Sequence, residues 1–257
     1  MDIEKKIELL AEYIDQSKNI VFLGGAGVST ESGIPDFRSA SGLYNQDGEG
    51  EGAPPEVILS RTYFYENTEN FYKFYKTKML YSGAEPNDAH KILAKLEEKG
   101  KIKAVVTQNI DDLHQKAGSK NVIELHGTVK NNYCLQCREN FGLDYITGSE
   151  GVPRCDKCGG LIKPDVVLYE EQLNLDSVYS AADHMIDADM LIVGGTSLAV
   201  TTAVSAMSRF FSGNRNKTKK SAIINKTKTE YDYYFDLTIK EGLSRVLRDA
   251  YFKIYGQ

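Results

Sequence analysis

Cys134-Leu135-Gln136-Cys137 and Cys155-Asp156-Lys157-Cys158 form two C-x-x-C knuckles, and they account for all 4 cysteines of the chain. Thiolates at this spacing suit a tetrahedral zinc ribbon. Four sulfur ligands leave no open coordination position, so such an ion is structural and not a Lewis acid. A pair of redox dithiols is the alternative chemistry. A second group of residues suits phosphate. The apolar run Ile20 to Leu23 ends in Gly24-Gly25-Ala26-Gly27-Val28-Ser29-Thr30, followed by Gly33-Ile34-Pro35-Asp36-Phe37-Arg38. A strand that opens through glycines into a helix N-terminus aims backbone N–H groups at an anion. Gly25 and Gly27 allow close approach of a pyrophosphate, with no Cβ in the way. The third glycine of the usual dinucleotide fingerprint is missing, since Thr30 stands there. Thr107-Gln108-Asn109-Ile110-Asp111, Glu124-Leu125-His126-Gly127 and Gly195-Thr196-Ser197-Leu198 place polar groups after further apolar runs. Among them, His126 has the side chain whose ordinary pKa makes a neutral base available near pH 7.

These groups need a scaffold that brings them to one rim. Ile3, Ile7, Leu10 and Ile14 recur at helical spacing and predict an amphipathic helix over residues 2–16. Strands are predicted at Asn19 to Leu23, Lys103 to Thr107, Val122 to Leu125, Met190 to Val193 and Ala222 to Ile224. Asn87 caps a helix that Gly100 ends. The aromatic stretch Thr62 to Leu80 is expected to be helical, its rings mostly core. Ser39 to Pro55 lacks a hydrophobic period and is expected to form a lid. Strands alternating with helices imply a parallel sheet with ligands outside its carboxyl ends. The predicted fold is therefore α/β: a Rossmann-like parallel sheet domain with a smaller zinc-ribbon plus helical insert domain. Residues 1–44, 81–130 and 163–257 are assigned to the larger domain, and 45–80 with 131–162 to the smaller.

The chain has 257 residues and a net charge of −5, so no global basic field favours nucleic acid. The basic run at 215–220 reads as a solvated loop. No segment approaches the roughly 20 apolar residues of a membrane span. The amphipathic start carries no apolar signal core, and with the clustered cysteines it predicts the cytoplasm.

Taken in order, G-A-G-V-S-T-E-S-G-I-P-D-F-R, T-Q-N-I-D, E-L-H-G, the four-cysteine ribbon and G-T-S-L resemble the sirtuins, the NAD-dependent protein deacylases of the bacterial type. The resemblance runs from about Ile20 to Asn225. It implies NAD as co-substrate and one structural Zn2+. It implies a protein-lysine deacetylase releasing nicotinamide, free lysine and O-acetyl-ADP-ribose, with mono-ADP-ribosyl transfer as the alternative. By the same resemblance His126 is the general base and Asn109 a second catalytic residue. Gly25, Ala26, Gly27 and Thr30 line the diphosphate. Phe37 covers the nicotinamide side, and Arg38 positions the leaving end. Gln108, Asn109, Ile110 and Asp111 form the ribose and nicotinamide pocket. Gly195, Thr196, Ser197 and Asn225 hold the adenosine half. Cys134, Cys137, Cys155 and Cys158 hold the metal. Acetylated protein lysines are the implied partners, with their peptide adding as a strand along Val166, Val167, Leu168 and Tyr169. A monomer is expected, with neither nucleic acid nor membrane as partner.

Three departures from the family pattern bear on specificity. Glu170 replaces a usual glycine, and its carboxylate is expected to favour basic residues beside the acyl-lysine. Thr201 and Thr202 stand where a proline often follows G-T-S-L. Phe74 and Thr77 occupy the positions counted as those of the tyrosine and arginine found in members preferring acidic acyl groups, so acetyl or other neutral acyl groups are expected. An NAD dehydrogenase fits poorly, because it needs the third glycine and an acidic residue capping the second strand. A non-catalytic NAD sensor fits poorly too, since Asn109, Asp111 and His126 are all present.

Overall fold

The computed structural model describes residues 1–37, 42, 53–212 and 219–256. Its strands are Ile20–Gly24 (β1), Ile102–Thr107 (β2), Val122–Glu124 (β3), Gly127–Cys134 (β4), Asn140–Gly142 (β5), Ile162–Val166 (β6), Met190–Gly194 (β7), Lys220–Ile224 (β8) and Leu237–Ile239 (β9). Six of them form one sheet in the order β3-β2-β1-β7-β8-β9, parallel throughout. Every residue of β1 and β7 is buried. Strands buried on both faces read as unbroken apolar runs, which is why Ile20 to Leu23 and Met190 to Val193 show no alternation. The helices Ile3–Gln16, Asp88–Glu98 and Leu243–Tyr255 cover one face, packing Ile7, Leu10, Leu93 and Leu247 with Phe22 and Ile192. Leu175–Asp187 and Thr201–Ser212 cover the other through Ala181, Met185 and Met207.

The remaining strands make a small antiparallel sheet, β5-β4-β6. It shares a third apolar cluster with the aromatic segment, through Phe64, Phe71, Tyr72, Tyr75, Val129, Ile146 and Leu168.

Several expected elements change form. The aromatic segment is three pieces, not one helix: Arg61–Glu66, Thr68–Phe74, and a π-helical turn Tyr75–Met79. The glycine turn leads into two 3-10 turns, Ala26–Val28 and Thr30–Ser32, and not into an α-helix. The Thr30 hydroxyl donates back to the Gly27 carbonyl at 3.1 Å, and the left-handed Gly33 ends the second turn. The strand expected over Val166 to Tyr169 ends at Val166, and Tyr169 forms an isolated parallel bridge with Ser60. Arg38 and most of the expected lid at 39–55 lie outside the described residues.

Candidate active site

The strand order reverses between β1 and β7. The chain runs β1 to β2 to β3 on one side, then returns to β7 on the other. A crevice opens at the carboxyl ends of strands at such a switch point. Gly24 of β1 sits opposite Gly194 of β7, so both glycine-ended strands deliver their loops to the same place. The loops interlock there. The Gly27 N–H donates to the Gly195 carbonyl at 2.8 Å. A Cβ on Gly27 would lie 2.8 Å from the Gly195 backbone, and one on Gly25 would lie 2.8 Å from Thr196 Cβ. Gly195 itself has φ +61, and a Cβ there would strike the Val28 nitrogen. These glycines are thus required by the packing of the turn against the third loop, as well as by any phosphate beyond it.

Polar side chains tie the three strand ends together. Gln108 donates through Nε2 to Thr196 Oγ1 at 3.0 Å, and its backbone N–H donates to the Gly24 carbonyl at 3.0 Å. Asn225 bridges Thr196 twice, accepting from its N–H at 3.1 Å and donating to its carbonyl at 2.9 Å. Asn109 Nδ2 donates to Ser29 Oγ at 3.0 Å, and that hydroxyl donates to Asp111 Oδ2 at 2.6 Å. Asp111 Oδ1 also accepts from the Leu113 N–H at 3.0 Å. Ser29 was missed from sequence, although it lies inside the glycine motif. Its role appears only when β1 and β2 are placed side by side.

His126 stands at the rim after β3. Its Nδ1 lies 3.0 Å from the Gln108 carbonyl oxygen. A carbonyl only accepts, so Nδ1 carries the proton and Nε2 keeps a free lone pair. Burial lowers the imidazole pKa, and the bond to Gln108 only partly offsets this, so the ring is neutral near pH 7. The His126 main-chain carbonyl accepts the Val167 N–H at 2.9 Å. Gly127 follows at φ +73, where a Cβ would strike the Asp165 carbonyl, so only glycine lets the chain pass from β3 into β4 here. His90 and His114, by contrast, are buried against each other, without polar partners among the described residues.

One cavity of about 960 Å³ joins these parts. Gly25, Ala26, Gly27, Thr30, Phe37, Gln108, Asn109, Ile110, Asp111, His126, Gly195, Thr196, Ser197 and Asn225 all line it, as do Val166, Val167, Leu168 and Tyr169. Every described residue of the expected nucleotide and peptide sites is therefore brought to one place. The aromatic segment contributes Tyr75, Lys78 and Met79, and neither Phe74 nor Thr77. Phe74, the last residue of the helix before the π turn, packs in the aromatic cluster, and the Thr77 hydroxyl donates back to the Lys73 carbonyl at 2.8 Å. A cation, Lys78, lines the cavity where none was expected.

The segment after β6 is held by two acidic neighbours. Lys163 is 4% exposed, and its ammonium donates to the Val166 carbonyl at 3.0 Å and to Glu171 Oε2 at 3.0 Å. The same carboxylate accepts from the Leu168 N–H at 2.9 Å. Glu170 has φ +72, the left-handed region that a glycine enters without strain. Its carboxylate is taken up by Thr62, accepting from the N–H at 2.9 Å and the hydroxyl at 2.7 Å, and these bonds lower its pKa.

The cysteines converge as the spacing predicts. Their Sγ atoms lie within 4.8 Å of one another, with Cys134 to Cys158 at 3.5 Å and Cys137 to Cys155 at 3.6 Å. Tetrahedral zinc with Zn–S bonds of about 2.3 Å needs sulfur separations of about 3.8 Å. A Cβ on Gly160 would sit 2.7 Å from Cys134 Sγ, so the second knuckle closes only over a glycine. The donor set fits one structural zinc, remote from any open ligand position.

A parallel α/β sheet with a polar crevice at its switch point, joined to a four-cysteine antiparallel sheet, defines a nucleotide-binding enzyme with a zinc-ribbon insert. Comparison with known proteins narrows this. The Sir2 family model matches residues 25–202. The NAD-dependent protein deacetylase of Clostridium acetobutylicum is 52% identical over 243 residues, which is 94% of this chain and 96% of that protein. The corresponding deacetylase of Staphylococcus epidermidis is 41% identical over 95% of this chain and 96% of its own length. A solved Sir2 structure with a p53 peptide and NAD+ superposes with a TM-score of 0.84 at 37% identity, covering 100% of this chain and 99% of that one. A Sir2 variant with a deacetylated p53 peptide and 3'-O-acetyl ADP ribose gives 0.85 at 37% identity, with the same coverage. The chain belongs to the Sir2 family.

Proposed function

We propose that this chain is an NAD-dependent protein lysine deacetylase that produces nicotinamide, free lysine and O-acetyl-ADP-ribose. The observation that carries the reading is His126, whose neutral ring presents a free Nε2 in the cavity lined by the glycine turn. NAD, when bound, supplies the electrophilic sugar carbon and the nicotinamide leaving group. The glycine turn and Thr30 hold its diphosphate, with Thr196, Ser197 and Asn225 on the adenosine half. The Ser29, Asn109 and Asp111 network fixes the carboxamide and ribose side. His126 accepts a proton at Nε2 from a ribose hydroxyl. The acetyl-lysine peptide lies along Val166 to Tyr169. Among the described residues nothing donates to the Val167 carbonyl, which is left to receive a substrate N–H. In this reading the larger domain spans 1–44, 81–130 and 163–257, and a monomer acts in the cytoplasm. Among the described residues no helix is long and apolar enough to cross a membrane.

The test is nicotinamide release from NAD that depends on an acetylated peptide. Absorbance at the reduced-nicotinamide band stays flat throughout. Radiolabel from NAD accumulating on protein, with no acetyl transfer, would replace this function with ADP-ribosyl transfer.

Two specificity predictions follow from the cavity wall. Acetyl peptide outperforms its succinyl twin by about tenfold or more in kcat/KM, because Leu59, Val129, Ile110 and Leu168 make that wall a poor host for a carboxylate. Equal turnover would reassign Lys78 as an acyl-carboxylate partner. Glu170→Gly lowers the preference for lysine-flanked over neutral peptides by about two- to fivefold, the usual reach of an exposed charge. An identical ratio in the two proteins would leave Glu170 as a tether for Thr62 alone.

A further inference from the structure

Asn87 is the N-cap of the helix Asp88–Glu98, where its Oδ1 accepts from the Ala89 N–H at 2.9 Å. Serine, threonine or aspartate would cap equally well, since capping uses only a side-chain oxygen. The amide nitrogen does what those residues could not. Both of its protons go to the glycine turn: Nδ2 donates to the Val28 carbonyl at 2.8 Å and to Ser32 Oγ at 3.0 Å. The partners fix which way round the amide lies, because a carbonyl only accepts and a main-chain N–H only donates. Asn87 is not among the residues that line the cavity, so anything it does there it does through the turn.

The two contacts fall at matching places. Val28 closes the first 3-10 turn and Ser32 closes the second. Gly27 directly precedes the first contact, and Thr30 lies between the two. A helix N-terminus keeps its anion-binding N–H groups in a fixed array by its own winding. Single 3-10 turns have poorer hydrogen-bond geometry and are held less firmly from within. The direction of their N–H groups therefore depends on what grips them from outside. One grip comes from the loop after β7, through the Gly27 N–H and the Gly195 carbonyl. Asn87 is a second grip, and it is itself held. The Ser244 hydroxyl, on the helix Leu243–Tyr255, donates to Asn87 Oδ1 at 3.3 Å. Two helices on one face of the sheet are thereby joined to the turn through one side chain.

We propose, resting on the reading that this turn holds the NAD diphosphate, that Asn87 is a positioning residue for the dinucleotide. Its amide sets the spacing of the two 3-10 turns, and so the direction in which they offer N–H groups to the diphosphate. Loss of the amide weakens the dinucleotide and leaves the peptide site untouched, because Val166 to Tyr169 are held by His126, Lys163 and Glu171 instead.

The experiment uses Asn87→Ser, which keeps a capping oxygen and lacks the amide, and Asn87→Ala, which lacks both. Neither adds a charge near the diphosphate. Titration calorimetry measures NAD, ADP-ribose and an acetylated peptide separately, so no turnover is needed. In both variants the Kd for NAD rises about tenfold, the scale of two lost neutral hydrogen bonds. The Kd for ADP-ribose rises by the same factor, since it carries the same diphosphate without nicotinamide. The peptide Kd stays within about twofold of wild type, as independent sites require. Tm separates the two variants, with Asn87→Ser the higher because its cap survives. NAD affinity unchanged in Asn87→Ser overturns the proposal, as does affinity lost only in Asn87→Ala, which would assign the effect to the cap. An equal loss of peptide affinity overturns it by showing general loosening. A loss confined to NAD, with ADP-ribose unaffected, overturns it by moving the effect to the nicotinamide end. Wild-type protein that binds the peptide and neither NAD nor ADP-ribose identifies failure of the underlying reading, and takes this proposal with it.

Discussion

His126→Ala lowers kcat/KM for an acetylated peptide by about 10²–10⁴-fold, the range that a positioned general base contributes. NAD binding persists, because the bonds joining the glycine turn, Gln108 and Asn225 through Thr196 remain when the ring and its bond to the Gln108 carbonyl are removed. The pH profile of wild-type kcat/KM shows the same group. Burial holds the His126 pKa below its ordinary 6.5. The base is active when neutral, so activity is flat through neutrality and declines only as pH falls through that lowered value. The alanine variant loses this acid limb. A variant that keeps most of its activity, or a wild-type limb lying above the ordinary histidine pKa, would move the base elsewhere.

Zinc removal has the second large effect. Cys155→Ser, or exhaustive chelation, abolishes peptide deacetylation while leaving most of the helical signal of the larger body. Structural zinc contributes folding free energy directly, about 10–16 kcal/mol in isolated zinc-finger peptides. Here its ligands lie in and beside the sheet β5-β4-β6. That sheet carries the start of the peptide segment, and Gly127 of β4 pairs with Val166 of β6 directly after His126. Loss of the metal thus disorganises the base and the docking segment together. Metal content by atomic spectroscopy, far-ultraviolet circular dichroism and the peptide KM form the test. Full activity at zero zinc would reduce the ribbon to an appendage.

The strands β1, β2, β3, β7 and β8 were readable because they are mostly apolar runs closed by glycine or a polar residue, whereas β4, β5 and β9 were not predicted. The metal cluster was readable because ligand spacing is local. Other features depend on partners distant in sequence. Gly25 and Gly27 read as phosphate glycines, yet the contact that forbids a side chain comes from the loop after β7. Ser29 gains its role from Asp111, 82 positions away. Leu175–Asp187, Thr201–Ser212 and Leu243–Tyr255 were not predicted as helices, although their apolar stripes cover the sheet. Counting back from Glu85 selected Phe74 and Thr77, while Tyr75, Lys78 and Met79 line the cavity, and nothing in the residue types announces the π turn that carries them. Glu170 reads from sequence as a substrate contact, and its bond to Thr62, 108 positions away, shows only in the fold.

The main-chain bond from Val167 to the carbonyl of His126 couples recognition to reactivity. On the proposed roles of Val166 to Tyr169 and His126, a polypeptide that seats badly would pull on the residue that takes the proton. Poorly fitting sequences are therefore penalised in turnover rather than merely in occupancy. Selectivity among acetylated proteins is accordingly written in kcat as much as in KM.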